Sequence, residues 1–310
     1  MEFDLIARIR SRADPSRADV VLGIGDDAAL LAPPPGQHLV VAMDTLNAGV
    51  HFPAGTAPAD IGWKALAVNL SDLAAMGATP AWCTLSLSLP AGDDGFVDGF
   101  LDGFLALAAA HGVALVGGDT TRGPLSACVT AHGFIAPGSG LRRAGAGVGD
   151  DVWVSGTLGD AAAALAQWQA GDAIDQALRV RLERPVPRVA LGLALRGIAS
   201  ACIDVSDGLL ADLGHLCLAS GVGAEVEVDA LPASTALVAA FDAQARRGLQ
   251  ATGGDDYELC FSAPPARREA IAAMPGTTRI GRIVAGDGVR AMTSAGAPWQ
   301  PVHAGYQHFA

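Results

Sequence analysis

Six short acidic motifs punctuate this chain, each setting aspartate beside glycine, a hydroxyl residue or a second aspartate. They are Gly23-Ile-Gly25-Asp26-Asp27, Met43-Asp44-Thr45, Asn69-Leu-Ser71-Asp72, Gly117-Gly118-Asp119-Thr120-Thr121-Arg122-Gly123, Asp204-Val-Ser206-Asp207-Gly208 and Gly253-Gly254-Asp255-Asp256. Several stand where a strand pattern gives way to a loop, which is where open sheets place ligand sites. A lone aspartate at such a point is ordinarily a turn former or helix cap. If six such motifs converge, their like charges repel strongly unless cations neutralise them. The chain must therefore adopt a fold that either disperses these acids or gathers them around metal.

Hydrophobic periodicity supplies the elements between the motifs. Residues 2–12 read as a short helix, Val20–Ile24 and Leu39–Met43 as strands, and Pro58 to Met76 as a helix of 3.6 period. Alternation over Trp82–Leu89 predicts a half-buried strand. A helix over Gly95–His111 and strands at Val113–Val116 and Ser126–Ile135 follow. The glycine-rich stretch 136–150 marks a boundary. Beyond it lie strands at Asp151–Val154, Glu225–Val228, Tyr257–Ser262 and Arg279–Val284, with helices at Gly159–Ala170 and Asp207–Ser220. Strands and helices interleave in both halves, so the class is α/β (α+β), with domains at 1–137 and 138–310. Asp160 and Asp287 follow glycines and read as turn residues.

Composition narrows the partners. Twenty basic residues against 32 acidic give a net charge of −12, which argues against nucleic acid or an anionic membrane. An acidic protein binds a polyphosphate through divalent metal, and magnesium takes carboxylate and phosphate oxygens together. The single lysine, Lys64, reads as structural. The five cysteines are scattered without metal or disulfide spacing and read as buried thiols. No run reaches the ~18 apolar residues of a membrane span, and the acidic start lacks a signal-peptide charge pattern, so the expected location is the cytoplasm.

Sharper motifs fail. A Walker A loop needs Gly-Lys-Ser/Thr, and Lys64 stands in Gly62-Trp63-Lys64-Ala65. Gly23-x-Gly25-x-x-Ala28 imitates a dinucleotide fingerprint, yet Asp26 and Asp27 would stand where the pyrophosphate belongs. Asp204-Val-Ser-Asp-Gly lacks the glycine position and closing glutamate of an EF-hand.

Taken jointly, Gly25-Asp26-Asp27, Asp44-Thr-Leu-Asn-Ala-Gly-Val-His51-Phe52, Trp63-Lys-Ala-Leu-Ala-Val-Asn-Leu-Ser-Asp72, Gly117-Gly-Asp-Thr-Thr121, Asp204-Val-Ser-Asp-Gly208 and Gly253-Gly-Asp-Asp-Tyr-Glu258 resemble the thiamine-monophosphate kinase family, in order from about Phe3 to Phe309. That family falls in the aminoimidazole ribonucleotide synthetase-like superfamily, with selenophosphate synthetase and a hydrogenase maturation factor. The resemblance implies an N-terminal α/β domain that dimerises through its sheet, a C-terminal α/β domain, and ATP with several Mg2+ ions in the cleft. It implies metal ligation by Asp27, Asp44, Asp72, Asp119, Asp204 and Asp207. It further implies ATP contacts from Gly118, Asp119, Arg143 and Ser206, with His51, Asp255 and Tyr306 bordering thiamine monophosphate. Asp27, Asp44, Asp72, Asp207 and Arg143 would carry the catalysis.

Two departures stand out. The family's hydroxyl before Asp44 is Met43 here, and its glutamate in Gly-Gly-Glu-Asp-Tyr is Asp255. The implied acceptor is a phosphate monoester, whose second pKa near 6 leaves it mostly deprotonated, so no general base is needed. The difficulty is bringing two anionic phosphates in line, which positioning and charge stabilisation address. The alternatives are another ATP-using synthetase of the superfamily and a metal-dependent phosphatase.

Overall fold

The computed structural model describes residues 2–13, 17–302 and 305–306, with side chains from Leu5 onward. Phe309, at the end of the family resemblance, lies outside the described residues. The chain divides into two compact units, one of Met1–Leu73 and Ala78–Ser139, the other of Ala74–Gly77 and Gly140–Ala310.

The first unit runs α1 (Glu2–Arg12), β1 (Val20–Leu22), β2 (Leu30–Leu31), β3 (His38–Asn47), α2 (Pro58–Ala75), β4 (Thr79–Leu89), α3 (Asp94–Ala110), β5 (Ala114–Arg122) and β6 (Ser126–Ile135). Its four-stranded sheet has the order β3-β6-β4-β5, antiparallel except for the β4/β5 pair. Period-2 alternation buries Ala127, Val129 and Ala131 of β6 and Leu85, Leu87 and Leu89 of β4. The buried faces of α2 and α3 supply Leu66, Leu70, Phe100 and Phe104, each such burial stabilising by roughly 1.5–3 kcal/mol. The opposite sheet face stays open: Leu39, Val41 and Met43 of the edge strand β3 are 49%, 55% and 64% exposed. Asp93 caps α3 by accepting the Phe96 N–H at 3.0 Å. Arg8 and Arg12 fasten α1 to α3 through Asp94, Asp98 and Asp102.

The second unit runs β7 (Asp151–Ser155), α4 (Asp160–Ala170), α5 (Gln176–Glu183), α6 (Val189–Ala194), β8 (Ala201–Val205), α7 (Leu209–Ser220), β9 (Gly223–Glu227), α8 (Thr235–Ala240), α9 (Ala243–Thr252), β10 (Glu258–Ala263), α10 (Arg268–Ala272), β11 (Thr277–Val284), β12 (Val289–Met292) and β13 (Pro298–Trp299). Its sheet has the order β13-β12-β9-β11-β7-β10-β8, antiparallel except for β12/β9. β7, β8 and β10 are buried along their whole length, each around a short apolar run: Val152–Val154, Ala201–Ile203 and Leu259–Phe261. Leu209, Leu213, Leu216 and Cys217 of α7 pack on them.

Two motif placements differ from the sequence reading. Met43-Asp44-Thr45 and Gly117–Arg122 lie inside β3 and β5 rather than at strand ends. Cross-strand pairing carries both strands past the point where polar residues suggest a stop. Four of the cysteines are buried and all five are free thiols.

Candidate active site

In the first unit, the Gly25-Asp26-Asp27 turn follows β1, and both aspartates are exposed. Asp26 accepts the Asp27 N–H at 2.8 Å, so it shapes the turn that presents Asp27. Gly25 has no Cβ, which leaves room for the Arg10 guanidinium lying against it. Arg10 carries no motif signature and was not legible in the sequence.

The Asp44 main-chain N–H donates to Asn69 Oδ1 at 3.1 Å. Asn69 is fully buried on α2 and donates in turn to the Ala65 carbonyl at 3.0 Å. Asp72 follows Asn69 by three residues, on the same helix face. One hydrogen bond thus ties the helix that carries Asp72 to the backbone of Asp44. Met43 and Asp44 leave opposite faces of β3, as their alternating exposure records.

Asp119 lies elsewhere. Asp44 pairs with Val129, Val129 with Leu85, and Leu85 with Gly118. Asp44 and Gly118 therefore stand on opposite edges of the sheet, roughly 14 Å apart at three strand spacings. Among the described residues, no group of three or more His, Cys, Asp or Glu is placed to hold a metal ion. Among the described residues, the acids form no cage of their own. Such a donor set suits Mg2+, which takes one or two carboxylates, keeps waters and completes its shell with substrate phosphates.

Gly118 adopts φ +154, and a Cβ there would overlap the Leu85 carbonyl. The backbone at Gly117–Thr120 thereby forms one wall of a cleft whose other wall is aliphatic: Ile6 and Ile9 of α1, Ile24, Leu85 and Leu115. A flat apolar base fits such walls, with the glycine amides and Asp119 at its polar end.

His51 lies in the loop after β3. Its Nδ1 accepts the Asn47 N–H at 3.0 Å, so the neutral ring carries its proton on Nε2. Lys64 is 2% exposed and donates from Nζ to the His51 carbonyl at 2.9 Å. The lone lysine is thus structural, and what it supports is the His51 loop.

In the second unit, two of the motif segments converge and the segment of Tyr306 joins them. β8 ends at Val205, and Ser206–Asp207 form the turn into α7. The Asp255 N–H donates to the Ser206 carbonyl at 2.9 Å, and the Tyr306 N–H to the Asp207 carbonyl at 3.1 Å. Tyr257 donates its N–H to Val205 O at 2.8 Å and its hydroxyl to Asp255 Oδ1 at 3.1 Å. Asp255 and Tyr257 sit at φ +68 and +50, the only positive-φ residues other than glycine among the described residues. Each costs roughly 1–2 kcal/mol, so neighbouring contacts must hold the segment. Asp212, 3% exposed in the first turn of α7, has its pKa pushed up to about 7 by burial and by Asp204 and Asp207 nearby. That repulsion marks a spot where a cation would be stabilised.

Arg143 does not join this turn. Its carbonyl accepts from Ser220 Oγ at 2.9 Å, and Ser220 ends α7. Ser206–Asp207 precede the other end of that 12-residue helix, roughly 18 Å away.

Behind the strained segment lies a buried charge network. Glu258 is 0% exposed and accepts from Arg181 at 2.7 Å, from Arg188, and from Ser155 at 2.5 Å. Asp256 accepts the Gly159 N–H on both oxygens, at 3.0 and 2.9 Å, and burial drives its pKa well above the ordinary value. Asp160, read as a turn residue, instead opens α4 at 1% exposure and accepts from Thr157 and Ser234, each at 2.6 Å. Its preceding glycine resembles a turn, and the partners that bury it lie far along the chain.

Comparisons with known proteins identify the family and the fold. Residues 25–135 match the model of the AIR synthase related protein N-terminal domain, and residues 147–294 that of the C-terminal domain. Fold and site thus define a two-domain AIR synthase related protein. The chain is 47% identical to thiamine-monophosphate kinase of Salmonella typhimurium, covering 100% of this chain and 98% of that one. Among solved structures, thiamine-monophosphate kinase from Stenotrophomonas maltophilia superposes with a TM-score of 0.89 at 55% identity, covering 96% and 98%. AaThiL complexed with AMPPCP and TMP gives 0.80 at 32%, covering 99% and 97%. Hydrogenase maturation protein HypE in complex with ATP, at 21% identity, shares the fold alone. The chain belongs to the thiamine-monophosphate kinase family.

Proposed function

We propose that this chain transfers the γ-phosphoryl group of ATP to thiamine monophosphate, giving thiamine diphosphate and ADP. The observation that carries the reading is the Ser206–Asp207 turn, whose two carbonyls tie it to Asp255 and Tyr306. Residues assigned to the donor and its metal are thereby joined to residues assigned to the acceptor. The structure of AaThiL with AMPPCP and TMP, similar along its whole length, supports it.

Mg2+ is the cation that the acids suit. Asp27, Asp44, Asp72, Asp119, Asp204 and Asp207 would hold it, and it would supply charge neutralisation on the phosphates. The chain's own residues do the rest. Gly118 and Asp119 border the cleft for ATP, and Ser206 contacts its phosphates. His51 donates from Nε2 toward the acceptor phosphate, and Asp255 and Tyr306 border the thiamine moiety. Arg143, on its separate loop, serves ATP away from the Ser206 turn. No side chain acts as general base, because the acceptor oxygen is already anionic near neutral pH. Transfer is direct and in line, so stereochemical retention at the transferred phosphorus would count against it.

The enzyme acts in the cytoplasm as a homodimer paired through the open sheet of the first unit. The exposed Val41 and Met43 support this, since an apolar edge strand is ordinarily covered. Among the described residues no helix is long and apolar enough to cross a membrane.

A coupled assay with ATP and Mg2+, with and without thiamine monophosphate, tests the activity. Equal ADP and thiamine diphosphate, dependent on acceptor, support it. ADP and free phosphate without acceptor would make the chain a phosphatase. No turnover with nucleotide binding intact would direct attention to the synthetases of the superfamily.

A further inference from the structure

The main chain of Ser206 and Asp207 is engaged at all four of its polar groups. Both N–H groups donate to a single oxygen, Oδ2 of Asp212, at 3.0 Å each. Both carbonyls accept, one from Asp255 and one from Tyr306. Asp212 thus orients the peptide unit between Ser206 and Asp207 directly, whose carbonyl accepts from Asp255, and sits one unit before the Asp207 carbonyl that accepts from Tyr306. Gly208 makes the arrangement possible. At φ +116 it turns the chain from β8 into α7 so that the first turn of the helix faces back on residues 206 and 207, and a Cβ there would approach the Thr252 carbonyl to 2.7 Å.

We propose that Asp212 is a positioning residue for phosphoryl transfer. It fixes the Ser206–Asp207 turn and, through its carbonyls, the register of Asp255 and Tyr306, so that donor and acceptor stay in line. This rests on the reading that those four residues serve the reactants. The role is geometric rather than ionic. An oxygen already accepting two N–H bonds is poorly placed to ligate metal, and an asparagine carbonyl in the same place accepts the same two bonds. In-line transfer is sensitive to such placement: a shift of about 1 Å costs on the order of 10²-fold in rate.

The test compares Asp212→Asn, Asp212→Glu and Asp212→Leu in the full-length protein by steady-state kinetics in each substrate and by thermal unfolding. Asp212→Asn is expected to retain most of kcat. Asp212→Glu keeps the charge but moves the oxygen, and is expected to lose kcat/KM for thiamine monophosphate by about 10²-fold. Asp212→Leu should match it or exceed it, and where the leucine variant does not fold the glutamate variant decides. Wild-type kinetics in Asp212→Glu, or an asparagine variant as impaired as the glutamate one, would overturn the proposal. Ser206→Ala and Asp207→Asn run in parallel. If both turn over like wild type, the assignment of the reactants to this turn fails. If they are impaired while Asp212→Glu is not, the positioning role fails alone.

Discussion

The two units use aspartate in opposite ways. In the first, Asp26, Asp27 and Asp119 are exposed and Asp44 and Asp72 partly so. Asp44 and Asp119 stand on a small sheet with one open face, Asp72 on α2, and Asp26 and Asp27 on the turn after β1. In the second, Asp204, Asp212, Asp256 and Glu258 are 6% exposed or less. Three of these four accept hydrogen bonds that hold the backbone or the arginines in place. The first unit leaves these acids open to solvent, and the second commits these buried acids to backbone and arginine partners. An acid of the first kind can be truncated without cost to the fold, whereas one of the second kind cannot, because its oxygens hold backbone or arginine donors in place.

The largest expected effect tests the first half of that contrast. Asp72→Asn should lower kcat by roughly 10²–10³-fold, the scale of removing one charge-stabilising group, while the unfolding midpoint stays where it was. Steady-state kinetics beside a thermal melt reads both. Wild-type turnover would remove Asp72 from the metal set, and a large loss of stability would erase the distinction between the units.

Glu258→Ala tests the second half. The substitution strands Arg181, Arg188 and Ser155 around a fully buried gap. Removing one partner of a buried pair costs about 3–5 kcal/mol, so the urea midpoint should fall far. An unchanged midpoint would mean that the network contributes specificity and little stability.

These two aspartate roles were not separable in the sequence, and the reason is physical. Asp27 and Asp160 each follow a glycine motif, yet one is exposed and the other is buried among partners from distant segments. Burial depends on what packs against a turn, and no local pattern records that. The long periodic elements were legible: the helix from Pro58 and the strand Ser126–Ile135 lie where their patterns put them. The short helices α5, α6, α8 and α10 were not, because one or two turns carry too little periodicity. The acid motifs were legible as a set, and so was the family. Asp212 was not, since its significance lies in two main-chain groups five and six residues before it. Nor could sequence spacing reveal that Asp44 and Asp119 stand on opposite sheet edges, which is fixed by strand order alone.

A smaller effect concerns the loop that carries Arg143. Ser220 Oγ donates to the Arg143 carbonyl and accepts the N–H groups of Gly145 and Ala146, each at 3.1 Å. Ser220→Ala removes all three bonds at an exposed site, a loss of about 1 kcal/mol. If Arg143 serves ATP, KM for ATP should rise roughly fivefold, with KM for thiamine monophosphate unchanged. An equal rise in both would place the Arg143 loop with the Ser206 turn instead.

The smallest effect sharpens the contrast inside the second unit, between acids whose pKa burial raises and acids whose pKa arginines lower. Asp151 is 2% exposed. Burial alone would raise its pKa, but hydrogen bonds from Arg268 at 2.8 Å and Arg279 at 2.6 Å overcome it and hold the carboxyl below its ordinary value. A folded-state pKa below the unfolded one means that the unfolded chain binds the proton more readily. The contribution of Asp151 is therefore fully present above the unfolded value near 3.9 and is lost as pH falls through the folded value. Asp151→Asn should lower the unfolding midpoint at neutral pH, and the gap to wild type should close as the solution is acidified below the ordinary aspartate range. Both arginines are about half exposed, so the gap should also narrow in high salt. A gap that persists unchanged at low pH would mean that the asparagine variant fails through packing rather than through loss of the Asp151 charge.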